Sequence, residues 1–266
     1  MGKTIGVLSL KGGVGKTSVV VSLGAALSEI GKKVLLIDTN FSAPNLGVHL
    51  NLIDPEITIH HILDRSANPK EAIQKVANLD IIPASIFWNK QINYLKLKDK
   101  IKSLKKIYDV ILLDSSPALN DETLATMNAS DELIVVTTPD YLSLVNAIKA
   151  IKEARQKGAP IIGLVLNKVF EKKFELSIND IEKTLDVPVL AVIPHDINFL
   201  KSLSEFTPYT IYKPRSRGTD EYKKLASTLV GEKYKPFTFR TLKWWVSPSR
   251  PDINREIFYE RIFKEN

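Results

Sequence analysis

One stretch, Lys11-Gly12-Gly13-Val14-Gly15-Lys16-Thr17, constrains this chain more than any other. An apolar run, Ile5 to Leu10, leads into it, and a helical period from Ser18 to Ile30 follows. Glycines tolerate backbone dihedrals that other residues avoid, so several N–H groups can turn toward one point. The start of the next helix adds unpaired donors and the positive end of its dipole. Strand, glycine loop and helix start, in that order, make a phosphate cradle. Its nucleotide-binding residues are Lys11, Gly12, Gly13, Val14, Gly15, Lys16, Thr17 and Ser18. Lys16 reaches the outer phosphates, and the Thr17 hydroxyl is a Mg²⁺ ligand.

Along the rest of the chain, short apolar runs bounded by turn residues alternate with longer helical periods. That alternation is the mark of a parallel sheet buried on both faces. The pattern predicts strands near 4–10, 33–38, 79–83, 109–114, 132–137, 161–166 and 189–193. It predicts helices near 16–30, 58–64, 69–77, 93–107, 120–128, 141–157, 177–185, 196–204 and 218–230. The fold class is therefore α/β, a mainly parallel central sheet with helices on both faces. A chain of 266 residues suits one large domain of this kind or two small ones.

Composition removes several classes of chemistry. With no cysteine there are no disulfides, thiolate zinc sites or cysteine-held iron–sulfur clusters. Met1-Gly2-Lys3 runs straight into the first strand, so no signal peptide is expected there. No apolar run approaches the roughly 20 residues that span a bilayer. The expected location is the cytoplasm, with peripheral membrane attachment as a variant. A net charge of +7 favours an anionic partner, nucleic acid or lipid surface. His60 and His61 are adjacent, so on a helix they point about 100° apart and cannot chelate one metal; they read as packing or surface residues. Six lysines crowd Lys96 to Lys106, while Tyr94, Leu97, Ile101, Leu104 and Tyr108 recur at spacings of three and four. That is an amphipathic helix whose basic side is either a solvated outer face or a DNA- or lipid-facing surface.

Two apolar strands end in acids. Asp38 closes the second, and the polar, turn-rich segment 39–47 begins at its carboxyl end, where ligands sit in open α/β sheets. Asp114 closes Val110 to Leu113, and its carboxylate holds the Mg²⁺ shell beside Thr17, partly through water.

The spelling of the loop, with Lys11 ahead of the glycine pair, resembles the deviant phosphate loop of the MinD/ParA family of ATPases, in its MinD-like, archaeal-type branch. The resemblance covers about residues 2–231. It implies a three-layer P-loop NTPase fold for an ATPase domain of residues 1–231, followed by a basic aromatic C-terminal extension of residues 232–266. It implies ATP and Mg²⁺ as cofactors and an ATP-dependent homodimer in which Lys11 reaches the partner's nucleotide. An activating partner protein is expected too. Lys11, Lys16, Asp38 and Asn40 take the catalytic positions. Relatives carry D-x-D in their first switch; here the triplet is Asp38-Thr39-Asn40. Asn40 can orient a water but cannot take its proton, which implies slow hydrolysis, unless Asn40 is merely a turn residue. Ser115 to Leu119 matches the second switch. Asn167 matches a residue at the adenine edge, or else caps its loop. Pro194, His195 and Asp196 match the I-P-x-D segment lining the base pocket, with His195 stacking on the base or simply tolerated. Guanine-binding relatives have N-K-x-D; Phe170 at the fourth position favours ATP over GTP. Missing cysteines argue against the cluster-carrier relatives.

The implied function is an ATP-driven dimerisation switch in spatial positioning, of a division site or a cargo, with ATP-dependent surface association. Two alternatives stay open: a ParA-like DNA-binding partition ATPase without an N-terminal DNA-binding extension, and a non-hydrolysing nucleotide-dependent adaptor. The last 35 residues hold eight of the 21 aromatic residues and are basic. Phe237 to Val246 mixes bulky apolar and basic groups, and Asp252 is placed to cap a helix carrying Ile253, Ile257, Phe258, Ile262 and Phe263. This extension suits a membrane surface or partner protein, a fold back onto the domain, or DNA.

Overall fold

The computed structural model describes residues 2–234 and 248–264. The aromatic-basic stretch Phe237 to Val246 singled out above lies outside the described residues. Strands β1 (Lys3–Leu8), β2 (Val34–Thr39), β3 (Gln74–Val76), β4 (Leu79–Ile82), β5 (Val110–Ser115), β6 (Glu132–Thr137), β7 (Ile161–Val169) and β8 (Val189–Pro194) form one sheet. Their order is β3-β4-β2-β5-β1-β6-β7-β8, parallel except for β3. β2 and β5 are buried along their whole length, which explains their near-continuous apolar sequences.

Alternate side chains of each strand enter different layers. Ile5, Val7, Leu36, Leu112, Ile134 and Val165 meet α1 (Lys16–Glu29) and α10 (Arg217–Leu229). The inward stripe expected of α10 is there: Tyr222, Leu225, Ala226 and Leu229 are buried. Each large apolar side chain so buried contributes about 1.5–3 kcal/mol. On the other face, Leu35, Ile37, Ile111 and Leu113 meet α3 (Ile59–Asp64) and α4 (Leu97–Ile101). Beside them, Leu133, Val135, Leu164 and Leu166 meet α5 (Asp121–Ala129), α6 (Tyr141–Gln156) and α7 (Ile178–Leu185). This is the three-layer P-loop fold expected from the sequence. Short helices α2 (Leu46–His49), α8 (Asn198–Ser204) and α9 (Tyr209–Tyr212) complete the loops at the sheet's carboxyl edge. Among the described residues no helix is long and apolar enough to cross a membrane.

Three expectations need correction. The helix predicted at 69–77 is absent; Gln74–Val76 is the antiparallel edge strand, and Ala77 takes the left-handed turn conformation at φ 51° that joins it to β4. The helix predicted at 93–107 is one α-helical turn and a half between two 3₁₀ segments, Tyr94–Lys96 and Lys102–Lys106. Its stripe is nevertheless inward, since Leu97, Ile101, Leu104 and Tyr108 are buried. Finally, α11 (Arg250–Tyr259) is capped by Ser249, with Asp252 as the reciprocal partner of a capping box. Its buried side is Pro251, Asp252, Asn254, Arg255 and Phe258, whereas Ile253 and Ile257 face outward.

That polar face has a specific seat. β8 is an edge strand, and its Val189 and Leu190 carbonyls accept from Asn254 Nδ2 (2.7 Å) and Arg255 Nη1. Asn254 and Arg250 also reach Glu182, and Arg255 pairs with Glu221 and Asp252. A buried charge needs such partners.

Candidate nucleotide site

The loop between β1 and α1 turns because two glycines take left-handed conformations that other residues adopt only at a cost. Gly13 has φ 78° and Gly15 φ 87°. At Gly15 a Cβ would also sit 2.4 Å from Asn167 Nδ2, so a side chain there is excluded twice over. The loop's carbonyls are tied back from the end of β7: Lys168 Nζ donates to the Gly13 carbonyl at 2.7 Å and Asn167 Nδ2 to the Val14 carbonyl at 2.8 Å. Lys168 takes a left-handed φ of 57° to do so, backbone strain of a kind that gathers at functional sites. At the start of α1, Gly15 offers no side-chain cap, and no acid lies in the first turn. The helix therefore keeps its positive end open to an anion.

Register then brings the two strand-end acids together. Asp38 of β2 pairs with Asp114 of β5 across the sheet, and both are fully buried. Lys16 Nζ lies 2.5 Å from Asp114 Oδ1. Asp114 Oδ2 is buried with no partner. An orphan carboxylate oxygen beside the Thr17 end of α1 fits a hard divalent cation bound by oxygens. Thr17 and Asp114 would hold it, and a Mg²⁺ bound there would neutralise negative charge on the nucleotide's phosphates.

Asp38 has a different employment. Its Oδ1 accepts from the Asn40 amide, and its Oδ2 from the Asn45 and Leu46 amides, each at 3.0 Å. It thereby folds segment 39–47 and starts α2. Burial, then the negative charge of Asp114, pushes its carboxyl up to about 7, against those amides and Lys16. Asn40 is almost wholly buried, and its Nδ2 is turned onto the Ala43 carbonyl of its own loop. Ser18 Oγ lies 3.4 Å from His49 Nε2, and His49 Nδ1 donates to the Asn45 carbonyl.

An aromatic wall backs this segment. Phe41 stacks on Tyr94 at 4.9 Å, and its carbonyl accepts from His60 Nε2 at 3.2 Å. The Ser85 amide donates to His60 Nδ1, so the ring carries its proton on Nε2 and is neutral. Burial holds His60 down at about 4.

Lys11 does not fold over the cradle of its own chain. Its Nζ contacts Ser143 Oγ at 2.8 Å and Asp140 Oδ1 at 3.2 Å, at the start of α6. Burial would raise the Asp140 carboxyl, but donors from Thr138, Ser143 and Lys11 hold it well below the usual carboxylate range. Next to this pair the exposed side of α6 is apolar: Tyr141 and Leu142 are over 70% exposed, at 73% and 71%.

At the base end, Asn167 faces the phosphate loop as described. Pro194, His195 and Asp196 stand one strand away. The His195 amide donates to the Val169 carbonyl, and its ring stacks on Phe170 at 4.3 Å. Asp196 is fixed by the Asn198 amide and the Tyr209 hydroxyl. Sequence reasoning gave Asp140 and Glu122 no role in the site and did not pick out the tether made by Lys168. Asp140 and Glu122 read locally as helix-start residues, and only the fold supplies their distant partners.

This loop, its tethers and the paired strand-end carboxylates define a P-loop nucleotide-binding protein. A family model described as an AAA domain matches residues 2–161. The chain is 32% identical to an ATP-binding protein of Methanocaldococcus jannaschii, over 88% of this chain and 90% of that one. It is 31% identical to the sporulation initiation inhibitor Soj of Bacillus subtilis, over 86% and 99%. The septum site-determining protein MinD of Pyrococcus horikoshii, solved with Mg-ADP, superposes with a TM-score of 0.81 at 34% identity, covering 86% and 96%. The chain belongs to the MinD/ParA family of P-loop ATPases. ATP and Mg²⁺ are the nucleotide and cofactor of such a site.

Proposed function

We propose that this chain is an ATP-driven dimerisation switch acting in cell division or partition, in line with relatives named as a septum site-determining protein and a cell division ATPase. ATP with Mg²⁺ occupies the cradle of residues 12–18. Lys16 neutralises charge on the outer phosphates, and the segments after Asp38 and Asp114 sense the terminal one. The observation that carries this reading is Lys11. It sits on the rim of an exposed apolar face, held by Asp140 and Ser143 instead of lying over its own phosphate site. A second copy docked on that face would cover the apolar side chains and receive the lysine. The ATP-bound dimer would then associate with a surface from the cytoplasm, and hydrolysis, stimulated by a partner protein, would release it.

Hydrolysis is slow in this reading, because the position that carries a second carboxylate in D-x-D relatives is Asn40, with its amide committed to Ala43. An Asn40→Asp variant should cleave ATP faster; no gain counts against the idea. The dimer itself is tested by sedimentation of the full chain with Mg²⁺ and ADP, then ATP, with anionic liposomes or duplex DNA in separate arms. Monomer in every nucleotide state refutes the switch. Pelleting with DNA alone selects the partition-type variant.

A further inference from the structure

Glu122 lies in the first turn of α5 and is 3% exposed. An acid at that place ordinarily serves its own helix's amides or stays in water. This one crosses to the first switch segment: its Oε1 accepts from the Ser42 amide at 3.0 Å and also from the Ser42 hydroxyl. Its Oε2 is buried and has no partner. A carboxylate oxygen kept dry and unbonded is costly, so it calls for an explanation.

The surroundings supply one. One turn along α5, the Thr126 hydroxyl lies 2.9 Å from that of Thr39, which donates to the Asp114 carbonyl at 2.9 Å. Contacts therefore run without a break from Lys16 through Asp114, Thr39 and Thr126 to Glu122 and Ser42. The helix that follows the second switch is fastened to the first switch at two points. Ser42 stands two residues beyond Asn40, whose own side chain is turned back on its loop.

We propose that Glu122 is a positioning residue for ATP hydrolysis. It holds the first switch through Ser42, and its free oxygen accepts a donor, water or a main-chain N–H, when that segment closes over the nucleotide. The switch thereby obtains from α5 the carboxylate that position 40 lacks. This rests on the ATPase reading above.

The test uses the full chain and the variants Glu122→Gln, Glu122→Asp and Glu122→Gln combined with Asn40→Asp. ATP affinity, single-turnover cleavage, melting temperature and amide exchange over residues 38–46 are measured with Mg²⁺. Glu122→Gln should leave affinity within about twofold and slow cleavage at least tenfold. It should also abolish the extra protection of residues 38–46 seen with ATP over ADP. Glu122→Asp or the added Asn40→Asp should recover part of the rate. Unchanged cleavage in Glu122→Gln overturns the proposal. So does a parallel fall of affinity, rate and melting temperature, which marks a structural role alone. If the unaltered chain binds ATP and never cleaves it, the enzymatic reading fails separately. The exchange data then decide on Glu122, and full ATP-dependent protection in Glu122→Gln overturns it.

Discussion

Lys11 Nζ lies 3.2 Å from Asp140 Oδ1 of its own chain. A lysine so engaged cannot at the same time reach a nucleotide held by another copy. Both groups are partly exposed, which limits such a pair to about 1 kcal/mol at most.

The first prediction removes that restraint. Asp140 is also the N-cap of α6, accepting from the Ser143 amide, and asparagine preserves a cap while removing the charge. Asp140→Asn should tighten the ATP-dependent dimer by roughly up to thirtyfold, since each of the two subunits gives up a pair of about 1 kcal/mol. Analytical ultracentrifugation with Mg²⁺ and ATP measures it. A weaker dimer would mean that Asp140 helps the assembly instead of competing with it.

A second prediction concerns protons. Asp38 titrates near 7 in the fold against 3.8 for the free side chain. Between those values the folded chain holds a proton that the unfolded chain has lost, so raising the pH through this window lowers stability. The full span amounts to roughly 4 kcal/mol. Asp38→Asn should abolish that portion of the pH dependence. Mg²⁺ arriving beside Asp114 should favour the ionised Asp38, so Mg²⁺ binding without nucleotide near pH 6 should release up to about one proton, fading above pH 8. Calorimetry in buffers of different ionisation heat reads this directly; heats independent of buffer would falsify it.

Third, Asp114→Asn takes the counter-charge from a lysine that is only 8% exposed. Removing one partner of a buried pair costs roughly 3–5 kcal/mol. The variant should melt early without ligand. Its ATP affinity should no longer respond to Mg²⁺, since the orphan oxygen at that site is gone. Retained Mg²⁺ dependence would move the metal site elsewhere.

The fourth prediction is at the C-terminal helix. Arg255 is 6% exposed between Glu221, Asp252 and the Leu190 carbonyl. Arg255→Met removes the donor of the Leu190 carbonyl and one of the two cations at Glu221 and Asp252, which keep Lys224, and should cost roughly 1–3 kcal/mol in urea unfolding. Loss below about 1 kcal/mol would show that the helix is dispensable for the domain.

How far the sequence discloses the site depends on distance along the chain. The loop at 11–17 and the acids 38 and 114 are legible because each chemical role sits on a strand end or helix start that its neighbours announce. The contacts of Lys11 with Asp140 and of Ser42 with Glu122 span 129 and 80 residues, and no local pattern encodes them. Residues 69–77 failed for a related reason. Lys70-Glu71-Ala72-Ile73 has helix-forming composition, yet pairing with β4 and the turn at Ala77 outweigh that weak preference. In α11 the apolar spacing suggested a greasy inner side; the edge of β8 instead demanded donors, and Asn254 and Arg255 supply them.

The seat of α11 has a wider meaning. A sheet margin usually invites a neighbour's backbone to continue the ladder. Here amide and guanidinium groups sheathe the Val189 and Leu190 oxygens, so that margin is closed to strand exchange. Copies of this molecule crowded together in a cell would have to meet through other faces, and fibre-like stacking from this end is blocked by a single helix.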